Sequence, residues 1–341
     1  MTDRARLSLL DLVRVREGRD ATEALAEAQE TAALADALGF TRYWVAEHHN
    51  MEGIASAATS VVLAHAGQRT RRIRLGAGGV MLPNHSPYVI AEQFGTLARL
   101  FPGRVDLGLG RAPGTDQATL RAIRTTPNRA QDFPEDVQEL MHWFEPADEP
   151  GYIRAWPAPG ADVAFWMLGS SNFGAMLAAE LGLPYAFASH FAPDYLHEAL
   201  NLYRSRFKPS KHLNQPYAAV GVHAICAPTE AEAKRLFTTT QMSFCGILRN
   251  DRRLSPPPIP EIDSYWTPQE RMQVGRMLSC AVVGSPDQVR EGLARIAAET
   301  QADELIMLSD IFDVEARRES LRLTAEAWGL EPDASGGSVQ V

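Results

Sequence analysis

Short β-like runs alternate with amphipathic helical stretches along this 341-residue chain, and that alternation restricts the fold more than any other feature. Apolar runs over residues 7–13, 43–46, 73–81, 104–109, 163–168, 185–188, 218–226 and 305–308 have the length and composition of strands. Helical patterns fill the spaces between them, at 23–38, 56–68, 88–100, 172–181, 194–207, 230–244 and 314–328. Ile90, Phe94, Leu97 and Phe101 recur at helical spacing in the third of these, and Gly39 ends the first as a C-cap residue does. A further helix has a complete entry signal, with Ser285, Pro286 and Gln288 at N-cap, N1 and N3 and Val289, Leu293 and Ile296 as its apolar stripe. Eight strands alternating with helices predict one parallel sheet of the α/β class, closed into a single (β/α)8 barrel (a TIM barrel) over residues 1–330.

Two stretches break the rhythm, about 115–160 and 245–285. The second contains Pro256, Pro257, Pro258 and Pro260, which exclude regular structure there. Insertions of this length in a barrel are expected to cover the carboxyl-end mouth. The tail, 331–341, has no periodicity and is expected to be flexible.

Composition narrows the class of partner. With 45% hydrophobic residues the chain has material for a large core without disulfides or a structural metal. A net charge of −9, with both signs interspersed, argues against nucleic acid or an anionic membrane as the main partner. Cys226, Cys245 and Cys280 have no metal-ligand spacing and read as free thiols of a reducing compartment. The apolar run near the N-terminus is too short for a signal segment, so a cytoplasmic protein is expected.

Chemistry in such a barrel sits at the carboxyl ends of the strands. The second strand is followed by Glu47-His48-His49-Asn50. Adjacent histidines point in different directions, so at most one is expected to reach a given ligand atom. Without a third ligand at close spacing, no metal is expected. A proton-handling role and a structural role, bonding neighbouring strand ends, both fit these imidazoles. Gly76, Gly78 and Gly79 interrupt the third strand, as a simple bulge would or a flat aromatic ligand lying against the backbone; Asn84 and His85 follow. Arg111 after the fourth strand is placed either to hold a phosphate or flavin carbonyl or to pair with a surface carboxylate. Gly169-Ser170-Ser171-Asn172 after the fifth strand leads directly into a helix. It reads as an anion-binding turn or as a plain N-cap. His190 joins Asn84 and His85 as a candidate substrate-pocket residue, and Tyr88, Phe173, Phe191 and Trp266 as candidate aromatic lining. Gly108-Leu109-Gly110 continues as Arg-Ala-Pro, which is not a dinucleotide fingerprint. Lys208, Lys211 and Lys234 are not clearly at strand ends, which disfavours a Schiff-base barrel enzyme.

Taken in order, Val45-Ala46-Glu47-His48-His49, the run from Gly76 to Pro83, the run from Gly103 to Arg111, and Gly169-Ser170-Ser171 resemble the bacterial luciferase-like flavin-dependent monooxygenases, over roughly residues 7–328. The resemblance implies a barrel that binds FMN or, in one branch, the deazaflavin F420. It implies that reduced FMN, supplied by a separate reductase, and O2 oxygenate a small organic substrate. His48 matches the family's catalytic histidine, with Glu47 and His49 in support. Gly78 and Gly79 match a pair joined by a non-prolyl cis peptide behind the isoalloxazine. Arg111, Gly169, Ser170, Ser171 and Asn172 fall where the phosphate is held, although luciferase has a carboxylate at the position of Gly169. A homodimer is also implied. An F420-dependent oxidoreductase and a non-catalytic flavin-binding protein on the same fold are the alternatives.

Overall fold

A computed structural model describes residues 4–111, 116–146, 153–251 and 253–332. The first half runs β1 (Arg6–Asp11), α1 (Ala21–Leu38), β2 (Arg42–Val45), α2 (Thr59–Gly67), β3 (Arg74–Met81), α3 (Pro87–Leu100) and β4 (Val105–Gly110). The first insertion then supplies α4 (Gln117–Ala122) and α5 (Phe133–His142). The barrel resumes with β5 (Val163–Gly169), α6 (Asn172–Leu181), β6 (Tyr185–Phe187), α7 (Leu196–Arg206), β7 (Ala218–Cys226) and α8 (Glu230–Leu248). The chain ends with α9 (Pro268–Met277), β8 (Ala281–Gly284), α10 (Pro286–Thr300), β9 (Glu304–Leu308) and α11 (Val314–Trp328).

Strands β1 to β7 and β9 pair in parallel and close into a ring of eight, with β9 between β7 and β1. The predicted barrel is therefore present, with strand and helix ends moved by a few residues. A ninth strand was not predicted. Strand β7 outruns β9, pairing with it up to His223↔Leu308, and β8 continues the pairing from His223↔Ala281 to Cys226↔Gly284. This covers an edge that would otherwise present unpaired backbone groups. Helix α9, also unpredicted, starts with a capping box of Thr267 and Glu270 behind Pro268.

Both insertions reach loops on the carboxyl-end side. Thr125 Oγ1 donates to the Pro83 carbonyl after β3 at 2.9 Å, and Asn50 Nδ2 to Asp116 at 2.9 Å. The proline-rich stretch is a strap rather than a loose loop. Ser255 N–H donates to the Val15 carbonyl and Glu17 N–H to the Ser255 carbonyl, each at 2.9 Å, and Ile259 N–H donates to Thr238 Oγ1. The tail from 333 onward lies outside the described residues. No described helix is long and apolar enough to cross a membrane. Among the described residues, all three cysteines are free.

Alternate residues of each strand face the helices or the barrel interior. Tyr43 and Val45 join the outer layer between sheet and helices, whereas Trp44 packs inside the ring with Leu10, Trp166, Ile306 and Leu308. Trp44 and Trp166 meet edge to face at 5.1 Å. Trp44 also accounts for two of the glycines in β3. A Cβ on Gly76 or Gly78 would lie 2.6 Å from the Trp44 ring, and one on Gly79 would lie 2.7 Å from the Gly108 carbonyl oxygen. A flat ligand is thus not needed to explain them. The register does shift between Gly78 and Val80, and the Gly78–Gly79 peptide is cis, as the resemblance implied.

The amino end of the barrel is closed by a buried polar network. Arg42 bridges Asp106 at 2.8 Å and Glu304 at 2.9 Å. Asp106 also accepts from Trp44 Nε1 and from Arg74, and Glu304 from Tyr217 and Ser8. Each buried charge has an opposite charge and hydrogen bonds, the condition under which buried ions are tolerated.

Candidate active site

At the carboxyl end, three groups of residues converge from strands that are distant in sequence. The first centres on Glu47, just past β2. Its backbone N–H donates to the Gly79 carbonyl at 3.3 Å, and its Oε2 accepts the Met81 N–H at 3.1 Å. These bonds pin the side chain between β2 and β3. Its Oε1 accepts from His49 Nε2 at 2.7 Å and from His85 Nε2 at 2.8 Å. Burial works to raise the pKa of this carboxyl, but the hydrogen bonds from His49 and His85, with their charge, outweigh it and hold the group at about 2. Glu47 is therefore an ionised anchor at neutral pH. The adjacent histidines diverge as expected. His49 turns to Glu47, while His48 lies close enough to His190 for their charges to interact.

The second group is a pair of imidazoles, His223 buried and His190 half-buried. His190 follows β6, and its ring occupies the space that a side chain on Gly221 of β7 would fill; a Cβ there would lie 2.3 Å from Nδ1. His223, two residues on along β7, meets the His190 ring at 6.1 Å and the Phe244 and Phe237 rings at 5.7 and 6.4 Å. Burial first, then the charge of His223, lowers the His190 pKa to about 3. Burial lowers that of His223 to about 4 against the pull of Asp310. Both rings are neutral at physiological pH. His190 Nδ1 and both nitrogens of His223 are shielded from solvent and meet no side-chain hydrogen-bond partner among the described residues; contact with the His190 backbone works to raise the His223 pKa against its burial. Asp310, past β9, is ion-paired with Arg14 at 2.9 Å.

The third group is the turn into α6. Ser171 is the N-cap residue, in extended conformation, but its side chain makes no capping bond. Asn172 does not cap either: its Oδ1 accepts no hydrogen bond among the described residues, while its Nδ2 donates to Glu198 at 2.6 Å. The plain N-cap reading is thereby replaced by a helix start whose amides have no side-chain acceptor from Ser171 or Asn172. Tyr185 steadies the turn by donating to the Ser171 carbonyl at 3.2 Å. A Cβ on Gly169 would meet only ordinary contacts, with Gly174 Cα at 3.7 Å and Tyr185 at 3.8 Å. Packing therefore does not demand glycine at this position. The guanidinium of Arg111, past β4 and exposed, stacks on Phe173 at 4.0 Å in the first turn of α6. Amides, hydroxyls and one cation thus share one helix start.

Two residues expected in the lining are elsewhere. Tyr88 packs on Trp143 at 5.2 Å and donates to the Arg154 carbonyl, in the layer between α3 and the first insertion. Trp266 packs in the satellite core around α8 and α9, with Nε1 donating to Asp263. Phe191 stacks on His190 at 5.0 Å, and Asn84 ends the short 3-10 turn Leu82–Asn84 next to His85. His223, Asp310 and Gly221 were not singled out from the sequence. A histidine of inward parity in an otherwise apolar strand, and the Ser309-Asp310 pair directly after the last strand, were the available signals. A cavity of about 280 Å³ lies along α6 between Pro134, Phe173 and Arg206, and these histidines do not line it.

Comparison with known proteins bears on the family and the fold. A family model described as luciferase-like monooxygenase matches residues 5–304. A luciferase-like monooxygenase of Escherichia coli K12 is 50% identical over 328 residues, covering 96% of this chain and 98% of the relative. The crystal structure of apo-MsnO8 superposes with a TM-score of 0.85 at 34% identity, covering 96% of this chain and 99% of that one. The FMN complex of the oxygenating constituent of 3,6-diketocamphane monooxygenase of Pseudomonas putida shares the fold, with a TM-score of 0.70 at 18% identity over 97% of this chain and 99% of that one.

Proposed function

This chain belongs to the luciferase-like monooxygenase family, and from that premise we propose that it uses reduced FMN and O2 to oxygenate a small organic substrate at the carboxyl-end mouth of its barrel. The observation that carries the cofactor reading is the start of α6, uncapped by side chains and with the Arg111 guanidinium stacked on its first turn. Free helix-start amides and a nearby cation are the donor set a phosphate needs. The residues present fit the group. Arg111, the hydroxyls of Ser170 and Ser171, and the backbone N–H groups from Gly169 to Asn172 would hold the phosphate, and the Gly78–Gly79 segment would lie by the ring system. Bound reduced flavin supplies the electrons that activate oxygen for transfer to carbon or a heteroatom.

The remaining roles fall to side chains of the chain itself. His48 holds or moves the proton at the reacting centre, since it lies on the mouth next to His190 and an imidazole exchanges protons near neutral pH. Glu47 is a positioning residue, ionised and tied to β3 through Met81. The neutral rings of His190 and His223, backed by Phe237 and Phe244, form a wall that excludes water yet offers hydrogen bonds to a polar substrate group. With no dinucleotide fingerprint in the chain, a separate reductase delivers reduced flavin.

Calorimetric titration with FMN, riboflavin and F420 tests the reading. FMN binding at least about tenfold tighter than riboflavin, the worth of one charge-assisted contact, is the expected result. Equal affinity for FMN and riboflavin would remove the phosphate site. Preference for F420 over FMN would replace the cofactor and, with it, the use of oxygen.

A further inference from the structure

We propose that Glu47, His49 and His85 form a binding site for a divalent transition cation of borderline softness, of the zinc, cobalt and nickel class. Folding unites residues that the sequence keeps apart, with His85 lying 38 positions beyond Glu47. The sequence-based expectation of no metal, which rested on the histidine pair lacking a further ligand at close spacing, is revised here. One ligand atom from each residue lies within 4.8 Å of the others. Two imidazole nitrogens and one carboxylate oxygen are the donors such ions prefer, and the hard cations calcium and magnesium do not take imidazole readily.

The two imidazole–carboxylate contacts require little rearrangement. Ligand atoms around a tetrahedral cation lie about 3.3–3.5 Å apart. The two Nε2–Oε1 contacts, at 2.7 and 2.8 Å, would therefore open by about 0.6 Å as each ring moves its proton to Nδ1 and turns the Nε2 lone pair to the ion. The other carboxylate oxygen already accepts the Met81 N–H, the kind of supporting bond that orients a metal-binding carboxylate. An entry path exists, because the side chains of His49 and His85 are 17% and 29% exposed while that of Glu47 is 2% exposed. Water completes the coordination on the solvent side. The ligands stand on the ends of β2 and β3, which pair in the barrel ring, so the site is largely preorganised.

The test uses tag-free, full-length, flavin-free protein after dialysis against a chelator, so that its outcome is independent of the flavin reading. Calorimetric titration with zinc chloride is expected to give one ion per chain. Cobalt(II) is expected to give visible absorption of four- or five-coordinate intensity, and zinc to raise the thermal midpoint. His49→Ala and His85→Ala should each weaken zinc binding by more than about tenfold. His142→Ala, at the end of α5 and outside the cluster, should leave it unchanged. His85→Gln is the variant that guards against misfolding, since its amide can still donate to Glu47 while it ligates zinc poorly. Wild-type protein that binds no zinc below the millimolar range, or His85→Gln and His85→Ala proteins that bind it as wild type does, would overturn the proposal.

Discussion

The two ends of the barrel use buried polar residues in opposite ways. At the amino end Arg42, Asp106, Glu304, Arg74, Trp44 and Tyr217 satisfy one another within the protein. At the carboxyl end His223 is buried and His190 half-buried, and His190 Nδ1 and the His223 ring nitrogens, shielded from solvent, meet no side-chain hydrogen-bond partner among the described residues. A low-dielectric interior makes a paired polar group rigid and an unpaired one costly. The first arrangement therefore reads as architecture, and the second as a surface whose hydrogen bonds are completed by something that binds there.

The largest expected effect breaks the carboxyl end chemically. His48→Ala should slow substrate-dependent turnover by about 10²–10⁴-fold, the usual contribution of a positioned acid or base. The thermal midpoint and FMN affinity should hardly move. Stopped-flow oxidation of reduced FMN with product analysis measures it; an intact rate with a lowered midpoint would assign His48 to the structure instead. His49→Ala does not serve as an inert control, because His49 is bonded to Glu47.

Asp106→Ala is the matching lesion at the amino end. It strips Arg42, Arg74 and Trp44 of a shared partner, leaving the buried Arg42 with Glu304 alone and Arg74 without its carboxylate. A loss of about 3–5 kcal/mol in denaturant unfolding is expected, with turnover per folded molecule retained. A comparable fall in turnover would mean that the two ends are coupled.

Arg111→Ala should weaken FMN binding by about 1.5–3 kcal/mol while leaving riboflavin affinity unchanged. Loss of affinity for both flavins alike would show that Arg111 acts through its stacking on Phe173 rather than on a phosphate.

The last effect is a slope with pH, the smallest at each step. His190 and His223 have folded pKa values near 3 and 4, lowered by burial from an ordinary 6.5, so the unfolded chain binds more protons between those limits. Stability therefore falls as pH drops from about 6.5 towards 4, by at most about 1.4 kcal/mol per unit for each ring. Asp310, paired with Arg14, and His48 are the charged or titratable groups facing them. His223→Phe should flatten this acid limb, as read from unfolding midpoints at successive pH values. A limb as steep as that of wild type would place the responsible protons elsewhere.

The range of each interaction decides how much of this molecule is legible in its sequence. The barrel is readable because helix and strand periodicity are local, repeating every few residues, and eight βα units have essentially one way to close. The Pro286 helix and the Gly39 cap are readable for the same reason. Strand β8 is not, since its pairing depends on β7 outrunning β9. At the mouth, position just past a strand end is enough to locate His48, Arg111 and the Ser170-Ser171 turn. The task of each side chain there is decided by neighbours distant in the chain. Trp44 leaves no room for a side chain at Gly76 or Gly78; Gly221 makes room for His190; Glu198 engages the Asn172 amide; and Glu47 gathers His49 and His85. Local pattern determined the barrel and the positions of its mouth residues, while contacts across 26 to 38 residues of separation, set only when successive βα units pack side by side, decided where the Asn172 amide is held and which three side chains cluster past β2 and β3.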